Sequence, residues 1–358
     1  MGLSCQLRRV VWVLVVIVAV LALPATAAAH GPINPAASSF LARIGHVPAG
    51  AEAKVVDGDQ RMWLKVAPGE TLVVLDYSQA PYLRFDSAGV QVNENSQMYY
   101  LNQVPVEVPP AGLGPRTRPH WLPASSGHSY EWHDGRLSDL STTTLTPGAS
   151  NLGQWRIALT VNGAPSALSG GLFYRPSPSI VWFWPIIVCL LCVLAALRLR
   201  RPELDTRVAR WLAVGSLAGF AVAITGQQLH GRPTVTVGQA ITLAVAAAFV
   251  VWAARRLILR RHGWFTFFLI AAVAIWEGGS LTAVLVDGYV LLALPPLVAR
   301  IAVVTCQACG AAMLPVVFAL AERPAAGRAK RRRGGPPGVN GHRPEDVTED
   351  LEAWQPSA

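Results

Sequence analysis

The stretch GQWRIALTVNGAPSALSGGLFY, Gly153 to Tyr174, decides how the first half of this chain is read. WRIALTV and GGLFY are rich in β-branched and aromatic residues, and the VNGAP between them is a turn signal, so the pattern predicts two short strands. Toward the N-terminus RMWLKV, TLVVLD, PYLRF and VQV repeat that composition, punctuated by DGD, APGE and DSAG. Several short strands with such turns and no long helical period predict an antiparallel β-sandwich, Ig- or cupredoxin-like, over residues 30–178.

Past Pro178 the composition changes. The chain is 52% hydrophobic and only 14% charged, but this average merges a polar segment from His30 to Pro178 with an apolar one from Ile180 to Ala321. The apolar part, residues 179–321, divides into five candidate spans: Ile180 to Leu197, Val208 to Ile224, Val235 to Ala254, Trp264 to Val286, and Val290 to Ala321 with Pro295 and Pro296 inside it. Each is near the ~20 residues that cross a bilayer. Arg198, Arg200 and Arg201, then Arg255, Arg256, Arg260 and Arg261, then the Arg-rich tail all fall on one side of such a bundle, as the positive-inside rule requires. Trp182, Trp184, Trp211 and Trp264 fall near the predicted interfaces.

The remaining ends fit the same topology. Residues 1–29 carry Arg8 and Arg9, the apolar run VVWVLVVIVAVLAL and then PATAAA, whose Ala27 and Ala29 have signal-peptidase spacing. This predicts a signal peptide, a mature chain starting at His30, and an extracytoplasmic β-domain. Residues 322–358 are rich in Pro, Gly, Arg and Glu and predict a disordered, basic cytoplasmic tail. The net charge of +9 is concentrated in RLRRPELDTR, ARRLILRRHG and RPAAGRAKRRRGG, beside the spans, so it reads as topology rather than a nucleic-acid footprint. The expected partners are the lipid bilayer and an envelope protein or metal ion. None of the five cysteines lies in the exported segment, so that domain is expected to rest on its core and not on disulfides.

Two groups of residues carry possible chemistry. In SSGHSYEWHDGRL, Ser125 to Leu137, two histidines stand close to Trp132 and Asp134. A cleaved His30 would offer an amine and an imidazole together, donors that suit Cu(II). Its partner would come from His46, His120, His128 or His133, with Asp134 as a further ligand or as the group that orients an imidazole. His128 and His133 are five apart, so a turn has to bring them together. The alternative is that His133 and Asp134 cap a turn before Gly135 while Trp132 packs in the core. Trp121, His128, Trp132, His133, Asp134 and Arg136 form the expected ligand or partner surface, with His30, His128 and His133 as metal candidates and copper as the possible cofactor.

The second group lies in the spans. Cys189 and Cys192, and again Cys306 and Cys309, have helical i, i+3 spacing, and four thiols at similar depth could bind Cu(I) or exchange as thiols. The bland alternative is packing by small residues. Glu277 and Arg300 are ionisable groups deep in the spans, expected at comparable depth as a neutralising pair or a functional site, unless the ALPP break lifts Arg300 toward the outer interface. Gln227, Gln228 and His230 cluster at the external end of the second span. No nucleophile, acid–base pair or phosphate loop is recognisable, so no catalysis is expected.

With these residues in view, the exported half resembles a family of actinobacterial exported, membrane-anchored proteins. The likeness rests on SSFLARI, VVLDYSQAPYLRF, AGVQVNENSQMYYLN, PHWLPASSGHSYEWHDGRL and GQWRIALTVNGAPSALSGGLFYRPSP. The family motif continues W-H-D-H-R-x-H-W-M. Trp132, His133, Asp134 and Arg136 match it, whereas Gly135, Ser138 and Asp139 stand where two histidines and a tryptophan belong. Ala80 stands in place of a glutamate ahead of Pro81, Tyr82, Leu83 and Arg84. A looser likeness, carried by His30 and the architecture, is to the periplasmic copper-resistance protein C family and implies a copper-binding cupredoxin-like domain. Together these readings imply a non-enzymatic multi-pass envelope protein with a binding β-domain. The alternatives are membrane transport, thiol redox chemistry, and a purely structural scaffold.

Overall fold

The structure, a computed structural model, describes residues 35–139, 150–199, 201–231, 233–261 and 263–322. The expected signal peptide, His30 and the expected tail after Glu322 lie outside the described residues. In chain order the elements are β1 (Ala37–Ser38), β2 (Phe40–His46), β3 (Ala51–Val56), β4 (Arg61–Val66), β5 (Leu72–Leu75), β6 (Pro81–Asp86), β7 (Gly89–Asn93), α1 (Gln97–Leu101), β8 (Trp121–Ser125), β9 (Ser129–His133), β10 (Asn151–Val161) and β11 (Ala164–Tyr174). Then come α2 (Trp184–Arg198), α3 (Pro202–Gln228), α4 (Val237–Ile258), α5 (Trp264–Ser280), α6 (Ala283–Val286), β12 (Tyr289–Val290) and α7 (Pro296–Ala321).

The stretch from Gly153 to Tyr174 folds as a hairpin of two 11-residue strands, longer than the two short strands expected. Asn162 (φ 50°) and Gly163 (φ 80°) both take left-handed backbone, as a two-residue type I′ turn needs. VNGAP is therefore mostly strand, since the turn uses two of its residues and leaves Val161 paired with Ala164 and Thr160 with Pro165. Asn162 also ties the turn to a neighbour, accepting a hydrogen bond from Thr71 N at 2.9 Å and donating to Glu70.

Around this hairpin a seven-stranded antiparallel sheet forms in the order β2-β11-β10-β5-β6-β7-β8, and a three-stranded sheet in the order β3-β4-β9. The apolar face of each covers the other: Met62, Leu64 and Trp132 from the small sheet meet Tyr82, Phe85, Ile157 and Leu168 from the large one in one buried cluster. Gly170 is where the packing is tightest. A Cβ there would strike the Arg43 carbonyl of β2 and the Trp155 indole. The last strand of the large sheet, β8, contains Pro123, which an edge tolerates because it needs no donor on its open side.

The strands share two ends. One end holds the turns at 47–50, 67–71, 87–88, 126–128 and 162–163; the other holds 57–60, 76–80, 94–120 and 134–139, with both connections to the helices. The second is called here the helix-facing end.

The helical half departs from five uniform spans. Four segments, Ile180–Arg198, Glu203–Gln228, Val237–Ile258 and Pro296–Ala321, are long and apolar enough to cross a membrane, and Trp264–Ser280 is a shorter apolar helix of 17 residues. The fourth expected span, to Val286, breaks after Ser280. Past this break come one turn of helix, α6, and the two-residue strand β12. The fifth helix starts at Pro296, whose missing N–H costs nothing in the first turn. α4 begins with a reciprocal Thr236–Gln239 capping box. α3 lies close against α7 because Gly215 and Gly219 present no side chains to Cys309 and Cys306.

Replacing Gly170 by alanine should destabilise the β-domain by about 1–3 kcal/mol, since either a backbone carbonyl or a buried indole must move. Thermal unfolding of the detergent-solubilised chain, followed by tryptophan fluorescence, measures this; an unchanged transition would mean that β2 and β11 are looser than described.

Candidate functional site

The W-H-D-G-R segment runs from the end of β9 into a 3-10 turn, Gly135–Leu137. Strand alternation turns Trp132 into the core, where it is buried, and leaves His133 exposed. Asp134 is fully buried and has four donors. Trp132 Nε1 (2.9 Å) and Arg136 Nη2 (2.7 Å) donate to its Oδ2; Arg136 N (3.1 Å) and Arg136 Nε (2.8 Å) donate to its Oδ1. The guanidinium continues outward to Leu75 O at 2.9 Å and lies over the Tyr77 ring at 5.2 Å. Burial alone would lower the Arg136 pKa, but its bonds to the Asp134 carboxylate outweigh that and hold it above the ordinary value. Gly135 N donates to Tyr77 Oη at 2.8 Å, and a Cβ at 135 would stand 3.0 Å from that oxygen, which suits glycine at this position.

This arrangement ties three loops together. Trp132, Asp134 and Arg136 direct their polar atoms at one another and at the β5–β6 turn, so they hold the helix-facing end together. The turn-cap reading describes the segment. His133 is fixed through its backbone, with its N–H donating to Asn102 Oδ1 (2.7 Å) and its carbonyl accepting from Asn102 Nδ2 (3.2 Å). Asn102 and Tyr77 carried no sequence signal, because both sit in polar connections remote from the motif.

The histidines do not converge. β9 is an uninterrupted strand from Ser129 to His133, so His128 and His133 lie at its opposite ends, roughly 16 Å apart at the rise of a strand. The turn that would join them on one ion is absent between them. His46 ends β2 at the end away from the helices, and His120 Nδ1 is 2.7 Å from Glu94 Oε2. Among the described residues no group of three or more His, Cys, Asp or Glu side chains is placed to hold a metal. His30, on which the copper reading rests, lies outside them. Trp121 opens the edge strand β8, half-buried, with the Arg84 guanidinium 4.8 Å above its ring.

A polar corner not singled out from sequence adjoins His133. Arg61, its cross-strand partner, pairs with Asp57 and, at 2.7 Å, with Glu131. Asp59 is buried in the same turn, and burial pushes its carboxyl up from 3.8 to about 6. DGD reads as a turn from composition; that its second aspartate points inward is decided by β2, whose Ala42 N donates to Gly58 O at 2.8 Å.

The helix-facing end is fastened to the helices. β1 pairs antiparallel with β12, Ala37 opposite Val290 and Ser38 opposite Tyr289. Leu291 N donates to Ala36 O (2.8 Å) and Ser39 Oγ to Asp287 Oδ1 (3.0 Å). Ala36 and Ala37 are buried in one apolar cluster with Phe220, Leu281, Leu285 and Leu292. Arg300 supports this junction. Its Nε donates to Val284 O (3.1 Å), and its Nη2 to Asp287 O (3.1 Å) and Gly288 O (3.2 Å). The neutralising pair with Glu277 is therefore corrected: the break after Ser280 brings free carbonyls to the guanidinium. Glu277 is buried separately, and its Oε1 has no hydrogen-bond partner among the described residues.

The thiols are also distributed otherwise than their spacing suggests. Cys189 of α2 and Cys309 of α7 pack against one apolar cluster, whereas Cys306 is buried against Gly219 and Cys192 is exposed on the outside of α2. The four do not converge, since α2 turns its second cysteine away from α7. Gln227, Gln228 and His230 stand at the end of α3 near the junction.

In comparisons with protein-family models, curated proteins and solved structures, the chain matches none of them.

Two outcomes follow. Asp134→Ala, which leaves the Arg136 charge and the Trp132 N–H buried without their acceptor, should cost about 3–5 kcal/mol of stability. His133→Ala should cost far less than Asp134→Ala, because its side chain is exposed and its backbone bonds to Asn102 survive the change. Denaturant unfolding of both variants checks this, and equal losses would refute the assignment. Asp59 should also confer a pH dependence. Its folded pKa is raised, so its contribution is fully present below about 3.8 and is lost as pH rises to about 6. Asp59→Asn should therefore raise the unfolding temperature at pH 7 and flatten the slope between about pH 4 and 6. A parallel pH profile for variant and parent would show that the carboxyl is solvated.

Proposed function

We propose that this chain is a multi-pass cell-envelope membrane protein that carries a partner- or ligand-binding β-domain on the outer side of the membrane, seated firmly on a five-helix bundle. The observation that carries this reading is the β1–β12 junction: a strand of the β-domain pairs with a strand of the helical half, and Arg300 beneath it holds three carbonyls. A domain tethered only through one linker would have no need of a buried arginine at its seat. Supporting it are the long apolar helices and the arginines that collect at one end of them.

On this reading the exposed edge of β8, with Trp121 under Arg84 and His120 beside Glu94, is what the domain offers to a partner. Copper enters only through His30 at a cleaved terminus, and Cu(II) titration of the mature full chain, with and without one extra residue ahead of His30, tests it separately.

Ala164→Cys, on the hairpin tip farthest from the helices, should react with a membrane-impermeant maleimide in intact cells; labelling only after permeabilisation would sink the reading. Arg300→Met should leave the β-sheet core intact and raise hydrogen exchange at residues 36–39 and 288–291 by at least about tenfold, from the loss of charge-assisted bonds to three carbonyls. Unchanged exchange at those residues would mean that the seat does not depend on Arg300.

A further inference from the structure

The segment between α1 and β8 contains VPVEVPPAGLGP, Val104 to Pro115. Val104 is 94% exposed and Val108 90%, and Val106 and Leu101 are also exposed in the same segment. Isolated apolar side chains on a surface need no explanation, but an apolar group on one extended loop does. Its prolines keep the valines from folding back into the core, because they fix the backbone and donate no hydrogen bonds. The loop is nevertheless anchored. Glu107 N donates to Tyr100 O at 3.1 Å, Gln103 Nε2 to Tyr99 O at 3.3 Å, and Asn95 Nδ2 to Arg118 O at 2.9 Å.

Its position gives the group a meaning. The loop leaves α1 at the helix-facing end, the end at which β1 pairs with β12 and Tyr174 leads into the helices. Side chains at this end that rested on the bundle would be covered, as Ala36 and Ala37 are. Val104 and Val108 are uncovered, and the loop returns into β8, the opposite edge of the large sheet from β2 and β11, so the sheet order sets it over the space beside the junction with the helices. On the membrane reading, that space is the outer lipid interface. The neighbouring chemistry suits it: Tyr99 and Tyr100 form an edge-to-face pair at the root of the loop, and Arg116 and Arg118 on its return arm are exposed.

We propose that the Val104–Pro115 loop docks on the outer leaflet of the bilayer, with Val104 and Val108 inserted among the headgroups, as a second foot of the β-domain beside the β1–β12 seat. This rests on the membrane reading above. The two feet differ in kind: one is protein on protein, the other a shallow apolar insertion with arginines toward lipid phosphates.

The test uses the full chain in phosphatidylcholine–phosphatidylglycerol vesicles. Val104→Cys, Val108→Cys and, as the far-end control, Ala164→Cys are labelled with an environment-sensitive thiol fluorophore, and the signal of the unsubstituted chain is subtracted. The expected result is blue-shifted emission at 104 and 108, quenched by lipids carrying nitroxide at headgroup depth, with 164 responding only to aqueous iodide. Iodide quenching at 104 and 108 equal to that at 164 overturns the docking. A blue shift untouched by the nitroxide lipids also overturns it and assigns the loop to a protein partner. Nitroxide quenching at 164 as well would overturn the end-on geometry. Failure of the membrane reading itself is told apart by the intact-cell labelling of Ala164→Cys: if that position is closed from outside, both proposals fall, and if it is open, only the docking is at stake.

Discussion

A guanidinium inside an apolar bundle must be given acceptors, and in this protein the acceptors are main-chain carbonyls. Arg300 has Val284, Asp287 and Gly288 before it, carbonyls at the end of α6 and in the turn that leads to β12, which no helix claims. Left without these acceptors, Arg300 would be buried unpaired, at a cost of several kcal/mol. The break, the short strand β12 and the seat for β1 are one arrangement. Without it the β-domain would be joined to the helices by the Tyr174–Ile180 connection alone.

The same economy governs the other end of the motif region. Asp134 is a buried carboxylate with three side-chain donors and one backbone donor, and every donor belongs to its own segment of chain. Such a knot is local in sequence but acts at a distance, because Arg136 reaches Leu75 and Tyr77 reaches Gly135. It fixes the end of β9, the β5–β6 turn and, through Asn102, the root of the Val104–Pro115 loop. An aromatic, an acid and a base standing close in sequence look like chemistry; buried and mutually satisfied, they are architecture.

Much of this was legible in the chain itself. Strand composition with Gly, Asn and Asp turns identified the β-rich half, and long apolar runs identified the helical half, because both follow from local periodicity and from how much apolar surface a segment must bury. The lengths of the hairpin strands were not legible: whether Pro165 ends a strand or joins one depends on whether a partner needs its N–H. Nor was the break after Ser280, since an apolar residue satisfies a helix and a buried loop equally well by composition.

For the candidate residues the division is sharper. The sequence by itself determined which side chains are rare and charged in apolar surroundings, Glu277 and Arg300 among them, and that Trp132, His133, Asp134 and Arg136 form a unit. Only the tertiary structure decided who faces whom. It set Arg300 against carbonyls instead of Glu277, placed Cys189 and Cys309 against one apolar cluster while leaving Cys192 exposed, and kept His128 and His133 a strand apart. The physical reason is that spacing along a chain fixes only the face on which a side chain stands, whereas its partner is set by which element packs on that face and at what register.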